Sequence, residues 1–381
     1  MALSQFSLIS WYWLKKEKAA ISTLGLLLFL WLLTPLNHLY TSNMLEGTLT
    51  LFTTIASLLL LVKTKSKSAF FVQYFIGSVA VIIAFFCNGP TAFFPLAIPF
   101  IRGMIEKDSS LYQGMKETII FGLLLTLVLA SFYLLVPDAL INTQQYFQQQ
   151  LLASVIGLRQ LNYVGLKHLN ILYLLFRACS PISIFSLLCV IASAKITGCR
   201  VIKELKTRFT DRNFLLFFLL ALVSSLPVGV SHRQAFNYIM QSAPFITLAM
   251  MWICYEPMQV IVNYCYSKSV FYLRIVRVSY CIFAGCFAAV ISLGNGYNRH
   301  ETMLKDIDYL THFYKKNAII STSPGVFYSW YTGAYFSRNS MISITPSEGQ
   351  TFYLALKNEP IPDSYRLIDA PLSFYNMARH V

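Results

Sequence analysis

Residues 87–102 read CNGPTAFFPLAIPFIR, and whether this proline-rich apolar run crosses a membrane decides how the whole chain is threaded. Its apolar part, Pro90–Ile101, has twelve residues, about 18 Å of α-helix against a hydrocarbon core of about 30 Å. Length therefore leaves it open between a re-entrant segment and a crossing; charge decides. If it crosses, one side collects Lys15, Lys16 and Lys18, then Lys63, Lys65 and Lys67, then Arg102, Lys107 and Lys116. The same side gains six basic residues between Lys195 and Arg212, then Lys268, Arg274 and Arg277. That is eighteen, against Arg159, Lys167 and Arg233 in the opposite short loops, a strong positive-inside asymmetry. If it does not cross, the two sides become mixed. The expectation is a crossing, with the basic loops in the cytoplasm.

Working outward, spans are expected near 19–39, 46–62, 69–87, 90–105, 117–136, 168–193, 213–231, 236–255 and 273–294. Of 381 residues 56% are hydrophobic and 12% charged, far from the ordinary soluble mixture. Apolar runs near twenty residues make lipid the expected solvent, and unpaired backbone is costly there, so the fold is expected to be mainly α, a polytopic transmembrane helical bundle over 1–294. The net charge of +14 sits in clusters between apolar runs instead of in one stripe, so membrane topology explains it and no nucleic-acid partner is expected. The eight cysteines all precede residue 287, form no CxxC pair and read as small buried hydrophobes. Ala2–Leu14 lacks the basic start and cleavage site of a signal peptide; it reads as an interfacial stub or as the remainder of a longer helix.

On the outer side, Asp138 to Lys167 contains QQYFQQQ, too polar to span and too apolar for a free linker, which suggests an interfacial helix. From Asn295 the pattern changes. Helix His300–Lys316, strand Ala318–Ser321, helix Val326–Phe336, strand Met341–Thr345, helix Ser347–Asn358, strand Tyr365–Ile368 and a last short helix predict a small soluble α/β domain over 295–381 with a parallel sheet. Topology puts that domain outside the cytoplasm.

Topology also sorts the acids. Glu46 and Asp138 face outside; Glu17, Glu106, Asp108, Glu117, Glu204, Asp211 and Glu256 fall in or beside cytoplasmic loops. Glu46, in TSNMLEG at the outer mouth of a span, is either a general base for a hydroxyl or a first-turn acid favoured by the helix dipole. Asp138, after Pro137, reads as a turn or cap residue. Arg177, nine residues inside its span, is costly in lipid unless it lines a polar cavity. With Lys167, His168 and Arg233 it would suit a phosphate-bearing lipid headgroup, since guanidinium grips phosphate through a bidentate fork; snorkelling is the plainer alternative. His38 lies near Glu46 in sequence. No HExxH or close Cys/His spacing argues for a metal site. STSPG at 321–325 is a weak phosphate-loop candidate, better read as a strand-to-helix turn.

Four stretches carry a family likeness: TPLNHLYTSNMLEGTLTLF at 34–52, CNGPTAFFPLAIPF at 87–100, KHLNILYLLFRACSPIS at 167–183 and SLPVGVSHRQAFNYIMQSAPFITL at 225–248. In order and spacing the chain resembles, over roughly residues 15–260, the polytopic lipid-linked-sugar glycosyltransferases of the GT-C superfamily, of the protein mannosyltransferase and aminoarabinose transferase type. The resemblance implies a plasma (inner) membrane enzyme. It would move a sugar from a polyprenyl-phosphate-linked donor to a glycan, lipid or protein acceptor on the outer face. Glu46 matches a position where the family has an acidic or polar residue, and Lys167, His168 and Arg233 fall in stretches bordering its donor cavity. No cofactor is implied beyond the donor lipid, and a divalent metal stays open. Family members begin with two further helices whose connecting outer loop bears the aspartate, or aspartate–glutamate pair, regarded as catalytic. Here the chain starts at what resembles the end of the second helix, so the likeness implies fold more firmly than activity. A membrane transporter or flippase and a non-catalytic membrane assembly subunit are the competing readings.

Overall fold

The computed structural model describes residues 2–17, 23–34, 36, 45–64, 66–152, 170–230, 236–268, 301–314, 317–329, 332–333, 335–336 and 341–381. By internal contacts the chain divides into two compact units, Met1–Leu273 and Arg274–Val381. The expected boundary at 294 and the expected span 273–294 lie outside the described residues.

In the first unit the described helices are α1 (Ala2–Glu17), α2 (Thr23–Leu33), α3 (Leu45–Leu61), α4 (Lys67–Asn88), α5 (Ile98–Ile105), α6 (Leu111–Leu135) and α7 (Pro137–Tyr146). They continue as α8 (Asn170–Thr197), α9 (Val201–Phe209), α10 (Arg212–Ser225) and α11 (Ala243–Lys268). Five helical stretches are long and apolar enough to cross a membrane: Lys67–Ile105, Leu111–Leu135, Asn170–Thr197, Arg212–Gly229 and Phe236–Ser267. Thr23–Leu33 and Leu45–Leu61 are apolar but shorter.

The run at 87–102 folds back. Asn88 (φ −153°) and Gly89 (φ 78°) leave the helical region, and Gly89–Ala97 then forms a 3-10 helix that leads into α5. Pro90 and Pro99 occupy first-turn positions, where a missing N–H costs nothing, while Pro95 lies inside the 3-10 segment. A 3-10 helix rises about 2.0 Å per residue, so nine residues reach about 18 Å and α5 adds about 12 Å. Together they reach about 30 Å: the 3-10 winding adds about 4–5 Å over an α-helix, and the residues flanking Pro90–Ile101 supply the rest. Its far end meets the end of α3: Arg102 Nη1 donates to Leu60 O at 2.6 Å, and Lys63 Nζ lies 2.8 Å from Glu106. It returns along the bundle.

α6 starts at that same end, its N-terminus capped by Ser110, whose Oγ accepts from Gln113 N at 3.1 Å. α5 and α6 approach backbone to backbone. A Cβ on Gly114 would stand 2.6 Å from Pro99 O, so only glycine permits this spacing. The outer side of α6, with Ile119, Leu123 and Leu127, is exposed.

One face of α1 packs into the bundle. Gln5, Ile9, Tyr12 and Trp13 are buried, and the Trp13 ring packs edge-on to Trp252 and Tyr255 while its Nε1 donates to Thr23 Oγ1 at 3.1 Å. On α3 two buried hydroxyls are satisfied by their own helix: Thr53 donates to Leu49 O at 2.9 Å and Ser57 to Thr53 O at 2.6 Å, whereas the buried Thr54 Oγ1 has no partner among the described residues. Asp211 caps α10 by accepting from Asn213 N and Phe214 N at 2.9 and 3.1 Å. α7 has no buried residue and passes into a π-helical turn at Phe147–Leu152; residues 153–169 lie outside the described residues. Cys189 and Cys254 are buried, but Cys199 is exposed, so not every cysteine is a core hydrophobe.

The second unit holds α12 (Glu301–Phe313), β1 (Ile319–Thr322), α13 (Pro324–Tyr328), β2 (Ser343–Thr345), β3 (Phe352–Leu356), β4 (Tyr365–Ile368) and β5 (Tyr375–His380). The sheet order is β2-β1-β3-β5-β4, with β1 parallel to β2 and β3, and β5 antiparallel to β3 and β4. It is a mixed sheet, not the expected parallel one, because two expected helices are strands. Tyr353, Leu354 and Ala355 are all buried in the middle of the sheet, and a strand covered on both faces reads as a continuous apolar run that periodicity does not separate from a helix. Asp306 ties α12 to the start of β5: its carboxylate accepts from Ser373 N, Phe374 N and Tyr375 N at 2.9, 2.6 and 3.1 Å. Burial pushes the Tyr375 hydroxyl up to about 12, and Tyr314 and Tyr353 are raised by the same cause.

Candidate functional site

Two polar clusters stand at opposite ends of α3. At its N-terminal end Glu46, in the first turn, is half-buried and its Oε1 accepts from Asn237 Nδ2 at 2.6 Å. Asn237 belongs to a 3-10 segment, Phe236–Ser242, which is held against α10 by a knot of serines. Ser242 Oγ donates to Ala221 O at 2.8 Å, lies 3.1 Å from Ser224 Oγ and is hydrogen-bonded to Ser225 Oγ. Ile239 and Met240 are fully buried beside it. Asn237 is thus presented to Glu46 by a fixed backbone.

The neighbouring residue, Phe236, receives Arg177. The guanidinium carbon lies 5.9 Å from the ring centroid, at the outer edge of cation–π attraction. Arg177 is exposed, two turns into α8, and no carboxylate among the described residues pairs with it. The expected polar lining position is therefore only partly matched: the arginine meets an aromatic ring, with its hydrogen-bonding groups uncommitted to any described acid. Because Phe236 and Asn237 are consecutive, Arg177 and Glu46 belong to one end of the bundle without neutralising each other. Glu46 comes from the 34–52 stretch, Arg177 from 167–183, and their partners from 225–248. The 87–100 stretch packs against α3 and α10 as well. Lys167, His168, Arg233 and His38 lie outside the described residues.

Asn237 is the site residue that reading the sequence missed. It sits inside a quoted stretch, but its partner is 191 positions away and no local spacing announces the pair. Asp138 is exposed in the first turn of α7, where an acid suits the helix dipole.

At the other end of α3 a second cluster is closed. Arg102 is 5% and Glu117 is 7% exposed, and they form an ion pair. Tyr74 Oη donates to Glu117 Oε2 at 2.8 Å, and Gln113 Nε2 to Glu117 Oε1 at 2.9 Å. Arg102 Nη1 caps the Leu60 carbonyl, and only Arg102 Nε lacks a partner. Charge counting places Arg102 on the cytoplasmic side and Glu117 in or beside a cytoplasmic loop. Both are buried, because the turn between α5 and α6 brings the two helices together on Gly103 and Gly114 and lets each charge compensate the other.

The STSPG turn offers no anion site. Ser323 Oγ donates to Glu359, and Gly325 N donates to Glu359 Oε1 at 3.0 Å, so the chain's own carboxylate occupies the start of α13. Among the described residues no group of three His, Cys, Asp or Glu is placed to hold a metal ion. Compared with protein-family models, curated proteins and solved structures, the chain finds no match.

Proposed function

We propose that the first unit is a multi-pass membrane domain whose Glu46 end binds a polyprenyl-phosphate-linked sugar and transfers the sugar to an acceptor. The observation that carries this reading is the pairing of Glu46 and Arg177 with consecutive residues, Asn237 and Phe236, at the end of α3 remote from the basic loops. A carboxylate and a separate guanidinium that does not pair with it are what such a transfer requires. The acceptor hydroxyl attacks the anomeric carbon as the bond from that carbon to the phosphate oxygen breaks. The hydroxyl proton passes to Glu46, and the departing lipid phosphate takes the electron pair. Arg177 then holds that anion through two parallel N–H donors.

Sidedness follows from the positive-inside rule. Lys63, Lys107 and Lys116 gather at the Arg102 end, so that end faces the cytoplasm, and the Glu46 end faces outward from the plasma membrane. The second unit belongs outside with it. The family likeness of the four stretches supports the donor assignment.

Binding of polyprenyl phosphate to the full chain in lipid nanodiscs tests the proposal without knowledge of the sugar. Arg177→Ala is expected to weaken binding about tenfold, the loss of roughly 1.4 kcal/mol for one charge-assisted contact. Glu46→Gln is expected to leave binding intact and to lower turnover once a donor is found. Equal affinity in wild type and Arg177→Ala removes the donor site from this end of the bundle.

A further inference from the structure

The short helix α9, between the long apolar α8 and α10, is the feature that the site does not use. None of its residues is buried. Its turn partners are settled internally: Arg208 Nη2 donates to Glu204 Oε1 at 2.9 Å, and Arg208 also pairs with Glu256 of α11, which holds its guanidinium charged above the usual range despite partial burial. Leu205 packs on the core of the first unit. On the other side Phe209 meets Phe214 edge-on at 5.3 Å, and Ile202 projects free of the bundle. Ile202 is 82% and Phe209 is 47% exposed, seven residues apart and so on one face. Beside that face stand Lys203 and Lys206, with Arg200 just before the helix, all exposed and without a described carboxylate partner.

Apolar side chains bordered by free cations, on a helix that joins two stretches able to cross a membrane, are the pattern of a helix lying in the headgroup layer. We infer that α9 is an anchoring surface for the anionic phospholipids of the leaflet at the basic end, with Ile202 and Phe209 in the acyl boundary and Arg200, Lys203 and Lys206 on the headgroup phosphates. The occupant is fixed by charge and geometry together. An acidic protein or a nucleic acid would use the cations but would leave Ile202 and Phe209 in water. This surface rests on the membrane reading above, not on sugar transfer.

The test is lipid selectivity. The full chain is reconstituted in phosphatidylcholine vesicles, and electron paramagnetic resonance compares the motionally restricted fraction of spin-labelled phosphatidylglycerol with that of spin-labelled phosphatidylcholine. Wild type is expected to prefer phosphatidylglycerol by roughly threefold or more at low salt, falling toward parity at 1 M salt, where the Debye length is about 3 Å. The variant R200Q/K203Q/K206Q is expected to lose most of that preference. K107Q/K116Q, which removes two exposed cations of the same end away from α9, is expected to lose far less per charge. No preference in wild type, or an equal loss per charge in both variants, overturns the assignment to α9. Absence of any restricted lipid overturns the membrane reading itself, so the two failures are distinguishable.

Discussion

The two ends of α3 carry the same chemical pair, an acid and an arginine, in opposite arrangements. At the Arg102 end the ions touch, both are buried, and Tyr74 and Gln113 close the remaining lone pairs of Glu117. At the Glu46 end the ions are kept apart by two consecutive residues of one 3-10 segment, and Arg177 stays exposed. A charge pair that satisfies itself holds helices together and has nothing left for a ligand. One whose members are held separately keeps its binding capacity, and holding it there requires a rigid element such as the serine-stapled Phe236–Ser242 segment. The second unit repeats the closed arrangement twice, in Asp306 with three backbone donors and Glu359 with two.

This contrast is broken most directly at Glu117. Glu117→Ala strands a buried guanidinium and is expected to cost about 3–5 kcal/mol, read as a fall in thermal stability of the detergent-solubilised chain. Replacing both Arg102 and Glu117 by methionine and leucine is expected to recover most of that loss, since an apolar pair of similar volume leaves no uncompensated charge. A double variant as unstable as the single one would mean that the network does more than neutralise itself.

In the second unit, Asp306→Ala leaves three buried or half-buried N–H groups without an acceptor. A loss of about 2–3 kcal/mol is expected, seen as earlier unfolding of β5 by hydrogen exchange.

Alkali probes the same corner. Tyr375 titrates near 12 in the folded unit against about 10 unfolded, so the folded state keeps a proton that the unfolded state releases. The stability it contributes is whole below pH 10 and drains away as pH rises from about 10 toward 12, at no more than about 1.4 kcal/mol per pH unit. Tyr375→Phe is expected to flatten that part of the pH–stability curve.

The smallest stability effect belongs to the open end. Glu46→Gln keeps a hydrogen-bond acceptor for Asn237 and is expected to move stability by under about 0.5 kcal/mol. A loss comparable to that of Glu117→Ala would place Glu46 among the structural carboxylates.

Much of the helical unit was legible because apolar length and loop charge act independently and agree. The return of 87–102 along the bundle was read from charge alone. Its 3-10 winding was not, since three prolines and an apolar run are equally compatible with a short α-helix, and the extra rise per residue appears only once the backbone is seen. The closed pair was hidden for a related reason. Arg102 and Glu117 are fifteen residues apart, farther than any helical spacing, and meet only because α5 and α6 form a hairpin on Gly103 and Gly114. Glu46 and Arg177 stood out as an acid and a base in apolar surroundings, whereas Asn237, uncharged, gave no signal. In the second unit β3 and β5 were missed because the pairing that makes them strands is between each other.

The central claim is that the two ends of α3 lie on opposite faces of a membrane. Single cysteines at Glu46 and Lys203, in a chain whose eight native cysteines are replaced by serine, settle it through labelling with a membrane-impermeant maleimide in intact cells. The account predicts labelling at 46 from outside, and at 203 only after the membrane is permeabilised. Labelling of both positions, or of 203 alone, in intact cells would contradict it.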